Sequence, residues 1–183
     1  MRPSRTEVLR LLRELSVPED VVCHSVKVEG QVHRLLEGLE RNGIELDGDL
    51  ALLGALFHDL GRSKSHSIDH GLVGARILRT DPKLDGVLTE LDREALARIC
   101  ERHIGAGIPA ADAAEAGLPA MDFMPLTLEE KIVTHADNLV VNGVLKLADS
   151  HEYYRRRFGE GSPIYRRIVE LGVEIESLAG EGD

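Results

Sequence analysis

The sequence predicts an all-α protein. Leu, Ala, Glu and Arg, which favour helices, recur throughout its 183 residues. No stretch shows the sustained alternation of apolar and polar side chains that a half-buried strand requires. Ser4-x-x-Glu7 and Thr127-x-x-Glu130 each have the form of a capping box, in which two side chains bind free N–H groups at the start of a helix. These three observations agree on a helical fold.

Seven helices are expected in chain order. The first starts at Ser4 and reaches residue 15. The second runs from Pro18, a residue suited to the first helical turn, to Asn42-Gly43. The other five are expected at 47–61, from a cap at Ser67 or Asp69 to 81, at 92–103 with Asp92 as its cap, at 127–140, and at 163–179 behind Pro163.

Two segments lack a clear helical pattern. The stretch 105–125 contains Gly, Ala and three prolines. It is predicted to be a long irregular loop, a kind of segment that is usually functional, and we expect it to cover a site. In the second segment, Tyr153-Tyr154 is typical of a core or an oligomer contact, and Arg155-Arg156-Arg157 of a solvated face. Nothing divides the chain, so one domain is expected over residues 1–183.

Composition excludes several classes of function. The net charge of −10 disfavours a nucleic-acid polymer or an anionic membrane as partner, although small phosphates can bind through a metal. Cys23 and Cys100 do not suggest a disulfide framework. No signal peptide or membrane-spanning run is visible, so a cytoplasmic location is expected. The sequence leaves open whether the chain forms a homo-oligomer.

The most informative stretch begins at His58-Asp59. Adjacent side chains diverge by roughly 100° in a regular helix, but at a helix end both can turn toward one point. Gly61 is a residue type that ends helices. The preceding apolar run from Leu50 to Phe57 would carry the pair into a buried setting. A buried carboxylate needs a partner, and beside histidine a metal ion is the simplest one.

Further candidate ligands occur on other predicted helices, so a bundle could bring them together at one interior point. The full set exceeds what one ion needs and suits two divalent ions bridged by Asp59. Fe or Mn fits such a His/Asp site best, with Zn, Ni, Co or Mg as further options. The candidate metal ligands are His24, His58, Asp59, His70, His103 and Asp137.

Taken in order, these residues resemble the H…HD…D signature of the HD superfamily of metal-dependent phosphohydrolases. The string His58-Asp59-Leu60-Gly61 is similar to the HDIG variant. His70, followed by Gly71-x-x-Gly74-Ala75, and His103 match the two extra histidines of the two-metal branch. The resemblance covers about residues 20–145. It implies an orthogonal helical bundle with a metal site in its core, at about 18–146, flanked by helices 4–15 and 163–179.

The resemblance also implies a phosphohydrolase or phosphodiesterase acting on a small, nucleotide-like phosphoester or phosphoanhydride. A hydroxide between the two ions would attack phosphorus. Arg62 and Lys64 would offset charge on the phosphate oxygens, and His66 would contact substrate or donate a proton. With Asp59, these three are the predicted catalytic residues.

The sequence departs from the family pattern in two places. Two-metal relatives often have Lys at the position of Arg62. The Gly-Tyr-Pro tripeptide of cyclic-di-GMP phosphodiesterases is absent, so that substrate is not supported. Three other functions stay open: a mononuclear-metal nucleotidase, a non-catalytic nucleotide-binding sensor, and an oxygenase with the same type of metal pair.

Overall fold

A computed structural model describes residues 2–141 and 143–180. Within these ranges the chain forms helices, turns and isolated β-bridges but no strand, which confirms the all-α prediction. Two 3₁₀ turns occupy Leu60–Ser63 and Pro82–Leu84. The α-helices of the described residues are α1 (Arg5–Glu14), α2 (Glu19–Arg41), α3 (Gly48–Phe57), α4 (His70–Thr80), α5 (Glu90–Arg102), α6 (Ala110–Glu115), α7 (Leu128–Asn138), α8 (Leu147–Phe158) and α9 (Pro163–Ala179).

Local polar side chains start several of these helices. The capping boxes at Ser4 and Thr127 both form, and Asp47 accepts a hydrogen bond from the amide of Leu50 at the start of α3. The predicted cap of α5 was wrong. Thr89, three residues upstream, accepts the amide of Asp92, because its side chain reaches the free N–H groups of the first turn.

The two segments without a clear pattern also contain helix. The predicted loop 105–125 includes the short helix α6, and an antiparallel bridge between Ile108 and Phe123 closes the segment on itself. The segment around 150–158 belongs to α8. The predicted helix 47–61 ends earlier than expected, at Phe57, and the 3₁₀ turn Leu60–Ser63 follows it.

The long helix α2 lies at the centre of the core. Val28, Val32, Leu35 and Leu39 lie on one face of it and are completely buried. This helix contacts α3, α7 and α9, while α4 packs on α5. Across the described part of the chain, no helix combines the length and apolar character needed to cross a bilayer.

A partly buried ionic network joins three helices of this core. Glu176 of α9 accepts a hydrogen bond from Arg34 of α2 at 2.6 Å, and His135 of α7 lies 3.1 Å from the same carboxylate oxygen. Burial opposes ionisation, but these two contacts outweigh it and lower the pKa of Glu176 to about 2. The ionised Glu176 therefore stabilises the folded state.

We expect Glu176→Gln to lower the free energy of unfolding at pH 7 by about 1 to 2 kcal/mol, a value reduced for solvent screening. Because the folded-state pKa is depressed, this contribution is present above the unfolded pKa of about 4.3 and is lost as the pH falls toward 2. Urea titrations between pH 3 and 7 measure it. Glu174→Gln, which removes a surface pair with Lys131, is the control, and a pH-independent difference for Glu176→Gln would contradict the assignment.

Candidate metal centre

The end of α3 points two adjacent side chains into the interior. The helix ends at Phe57, His58 keeps helical backbone angles, and Asp59 turns to φ −99°, ψ 16° at the start of the 3₁₀ turn. His58 is completely buried and Asp59 is 9% exposed. This change of backbone path lets neighbouring residues face one point, which a continuous helix would prevent.

Glycines allow the surrounding elements to approach this point. The prediction that Gly61 ends the helix was wrong, since α3 ends at Phe57 and Gly61 has no positive φ. A Cβ there would instead collide with the carbonyl oxygen of His70 and the amide of Gly74. A Cβ on Gly71 would lie 2.5 Å from the carbonyl oxygen of Cys100 in α5. Close packing thus brings the start of α4 and the end of α5 beside Asp59.

Three buried histidines are held in a defined tautomer. In His58, His70 and His103 the Nδ1 atom lies 2.7 to 2.8 Å from a backbone carbonyl oxygen, which can only accept. Nδ1 therefore carries a proton in each ring, and Nε2 of the neutral imidazole carries a lone pair that is directed into the cluster. The carbonyl groups belong to Ala55, Ser67 and Cys100, three residues upstream in each case.

Asp59 Oδ1 forms a triangle of ligand atoms with the Nε2 atoms of His70 and His103. The oxygen lies 3.2 Å from His70 Nε2 and 3.5 Å from His103 Nε2, and the two nitrogens are 3.1 Å apart. Facing lone pairs at these distances repel one another unless a cation lies among them. Three donors with this spacing can all lie about 2.1 Å from one point, the usual metal–ligand distance. The triangle therefore fits a divalent ion.

A second group surrounds Asp137 Oδ1. His24 Nε2 lies 2.8 Å and His58 Nε2 3.6 Å from this oxygen. His58 Nε2 is buried and has no hydrogen-bond partner among the described residues, which is costly unless a ligand satisfies it. His58 Nε2 is also 3.8 Å from Asp59 Oδ2. The two oxygens of Asp59 thus face different groups.

The cluster has an electrostatic preference for positive charge. Burial opposes protonation of His58, but the charges of Asp59 and Asp137 outweigh it and raise its pKa to about 9. Burial also opposes ionisation of both carboxyl groups. The neighbouring imidazoles nevertheless hold the pKa of Asp59 and of Asp137 well below the usual range. Two ionised carboxylates among imidazoles, that of Asp59 buried and that of Asp137 partly buried, are compatible with divalent metal binding.

The structure brings all six predicted metal ligands together. Of the three other predicted site residues, only Arg62 lies at the cluster. Arg62 donates to Asp59 at 3.3 Å and to the carbonyl of His66 at 2.9 Å, and it lines the cavity over the cluster. Lys64 and His66 are exposed and are not among the residues that line this cavity. Their roles at the site stay predictions.

The cavity above the cluster has a volume of about 670 Å³, within the range of small-molecule sites. Residues 104–116 form part of its wall. Sequence reasoning missed a second part of the wall. Half of the six aromatic residues of the chain fall within 153–158, and that concentration was the available signal. The missed wall residues are Tyr153, Tyr154, Arg157, Phe158, Ile164 and Arg167.

Comparison with known proteins places this geometry in a family. The HD domain family model matches residues 21–142, which contain all six clustered side chains. The chain belongs to the HD domain family. The helical fold and the buried His/Asp cluster of the described residues agree with this membership. HD domains are in general metal-dependent hydrolases, as the resemblance of the motif implied.

Relatives of this HD domain carry different names. An uncharacterized protein of Methanocaldococcus jannaschii is 42% identical over 174 residues, covering 94% of this chain and 96% of that protein. Proteins named tRNA (cytidine(56)-2′-O)-methyltransferase from Picrophilus torridus and Thermoplasma volcanium are 34% and 38% identical over 179 and 136 residues. This chain spans only 48% and 37% of those two proteins. No solved structure gives a significant match.

Removal of one imidazole from the cluster is expected to weaken metal binding. In metal-free protein, added Mn²⁺ should raise the melting temperature, because a ligand bound only to the folded state stabilises it. His24→Ala should shift the Mn²⁺ concentration needed for this effect upward by about tenfold or more. His33→Ala is the matched control, since His33 is exposed on the same helix. Equal Mn²⁺ responses in the two variants would contradict the ligand assignment.

Proposed function

We propose that this HD domain is a phosphohydrolase that uses two divalent ions, Fe or Mn in preference, to hydrolyse a phosphoester or phosphoanhydride bond in a small nucleotide-like molecule. This places it in the two-metal, HDIG-type branch of the family. The observation that carries the proposal is the orientation of Asp59. Its Oδ1 faces His70 and His103 at 3.2 and 3.5 Å, and its Oδ2 faces His58 at 3.8 Å.

Each ion would have its own set of protein ligands. Asp59, His70 and His103 would hold one ion. The other ion would be held by His24, His58 and Asp137. Two bound ions supply Lewis acidity toward phosphate oxygens and lower the pKa of a coordinated water. The Nδ1–carbonyl hydrogen bonds keep the three buried imidazoles oriented, so the ligand set is formed before substrate enters.

Other residues of the cavity would bind and orient the substrate. The Arg62 guanidinium is positioned by Asp59 and by the His66 carbonyl, so it can hydrogen-bond a phosphate oxygen beside the cluster. Residues 104–116 limit access of solvent to the cluster. Their position is fixed by the Asn138 side chain, which donates to the Gly105 carbonyl at 2.6 Å. A held phosphate would thus face the cluster in one orientation.

The names of relatives add little to the choice of substrate. The activity named for the two tRNA methyltransferases belongs to proteins more than twice as long as their match to this chain. The net charge of −10 disfavours a nucleic-acid polymer as substrate. We therefore favour a small phosphate compound over a whole tRNA.

The test is hydrolysis of bis(p-nitrophenyl) phosphate and p-nitrophenyl phosphate, each with and without added Mn²⁺. The Mn²⁺-loaded wild type should hydrolyse at least one of them, and Asp59→Asn should lower kcat by about a hundredfold or more, because one carboxylate contacts both ligand groups. Asp49→Asn, an exposed carboxylate in the first turn of α3, is the control. Equal rates for wild type and Asp59→Asn would exclude catalysis at this centre.

A further inference from the structure

We propose that α8 and α9 bind the leaving side of the substrate, and that the substrate carries there a planar ring and a second phosphate group contacted by Arg157. This inference rests on the proposed function, since it assumes that a first phosphate binds at the metal centre. The residues that carry it lie at 153–167, beyond the family match at 21–142. Selectivity from these residues would therefore come from a part of the chain outside the matched HD domain.

Helix α8 extends from the metal centre along the cavity. Ser150 in its first turns donates to the carbonyl of Asn138, the neighbour of Asp137, at 2.9 Å. Tyr154 follows one turn later and lines the cavity. Arg157 lies seven residues beyond Ser150, about 10 Å along the helix axis. The helix therefore places Tyr154, Arg157 and Phe158 on the cavity wall, beyond the residue that contacts the neighbour of Asp137.

Two aromatic rings on this helix are stacked in parallel beside the cavity. The rings of Tyr154 and Phe158 are parallel within 1°, with centroids 6.1 Å apart, and both line the cavity. Phe158 is 37% exposed, so part of its ring is open to the cavity that it lines. An aromatic surface of this kind suits stacking by a planar ring such as a nucleobase, because every base presents a π face.

Arg157 is an exposed cation that lies beside these rings. Its Nη1 donates to the Tyr153 hydroxyl at 3.1 Å, and its guanidinium lies 5.5 Å from the Phe158 ring centroid. Within residues 2–141 and 143–180, Arg157 forms no salt bridge, whereas Arg155 and Arg156 both pair with Glu152 outside the cavity. Of the three consecutive arginines, Arg157 alone among these residues keeps its charge available to a ligand in the cavity.

Arg167 of α9 supplies a second group with unused donors. Its Nη2 pairs with Asp112 of α6 at 2.9 Å, but its Nε is buried without a hydrogen-bond partner among the described residues. A buried N–H of this kind is costly until an acceptor satisfies it. Apart from the metal ligands, the charged residues of the cavity wall are three arginines and two aspartates, in a chain of net charge −10. The cavity is thus suited to an anion.

The probes for this inference are adenosine 3′,5′-bisphosphate, adenosine 5′-monophosphate and inorganic phosphate. Titration calorimetry with the full Mn²⁺-loaded chain gives their affinities. Chromatography after each titration checks that the nucleotides are intact, and where it detects hydrolysis the ratio of kcat/KM values replaces the ratio of affinities. Wild type should prefer the bisphosphate to the monophosphate by about tenfold or more, as expected for a charge-assisted contact.

Arg157→Gln should reduce the bisphosphate preference to within about threefold, whereas Arg155→Gln, on the same helix and paired with Glu152, should retain it. Phe158→Leu should reduce the preference for the monophosphate over inorganic phosphate by about fivefold through lost stacking. Absence of a bisphosphate preference in wild type, or its retention in Arg157→Gln, would overturn the proposal.

The same experiments separate this inference from the proposed function. Hydrolysis of bis(p-nitrophenyl) phosphate without any nucleotide preference would leave the metal-dependent activity in place and reject the subsite. An Arg157-dependent preference without hydrolysis of any substrate would support the subsite and reject the phosphohydrolase activity.

Discussion

The Asp59 carboxylate has two oxygens, and the fold directs each of them toward different imidazoles. Oδ1 faces His70 and His103, while Oδ2 faces His58. Burial of an ionised carboxylate is costly without compensating positive charge. Imidazoles with Nδ1 bound to carbonyl groups direct lone pairs at Asp59, so this compensation has to come from added protons or from cations. This requirement connects the backbone path at the end of α3 with the chemistry of the site.

Close backbone packing brings the imidazoles to the Asp59 carboxylate. A Cβ on Gly61 would collide with neighbouring backbone, one on Gly74 would lie 3.0 Å from the Gly61 amide nitrogen, and Gly71 allows α4 to lie against the carbonyl of Cys100 in α5. A Cβ on Gly61 could be accommodated only if the backbone at His70 moved, which would displace that imidazole from Asp59. The same packing leaves the cluster open on one side, where α8 and α9 complete the wall of the cavity. Closely packed glycines thus allow the cluster to form, and helices later in the chain limit access to it.

Much of the fold and of the cluster could be predicted from the sequence, because both depend on local patterns. His58-Asp59 follows an apolar run that had to be buried, and the capping box at Thr127 identified the helix that carries Asp137. The function of Gly61 could not be predicted, because it depends on contact with residues that follow it by nine or more positions. The wall formed by α8 was missed for a similar reason, since only tertiary packing distinguishes Arg157 from its solvated neighbours.

The most direct test of the central claim is anomalous diffraction from crystals grown with Mn²⁺, recorded on both sides of the manganese absorption edge. A dinuclear centre at Asp59 should give two anomalous peaks, one beside each oxygen of Asp59, with the first close to His70 and His103 and the second close to His58. A single peak remote from His70, or none within ligand distance of Asp59, would contradict it.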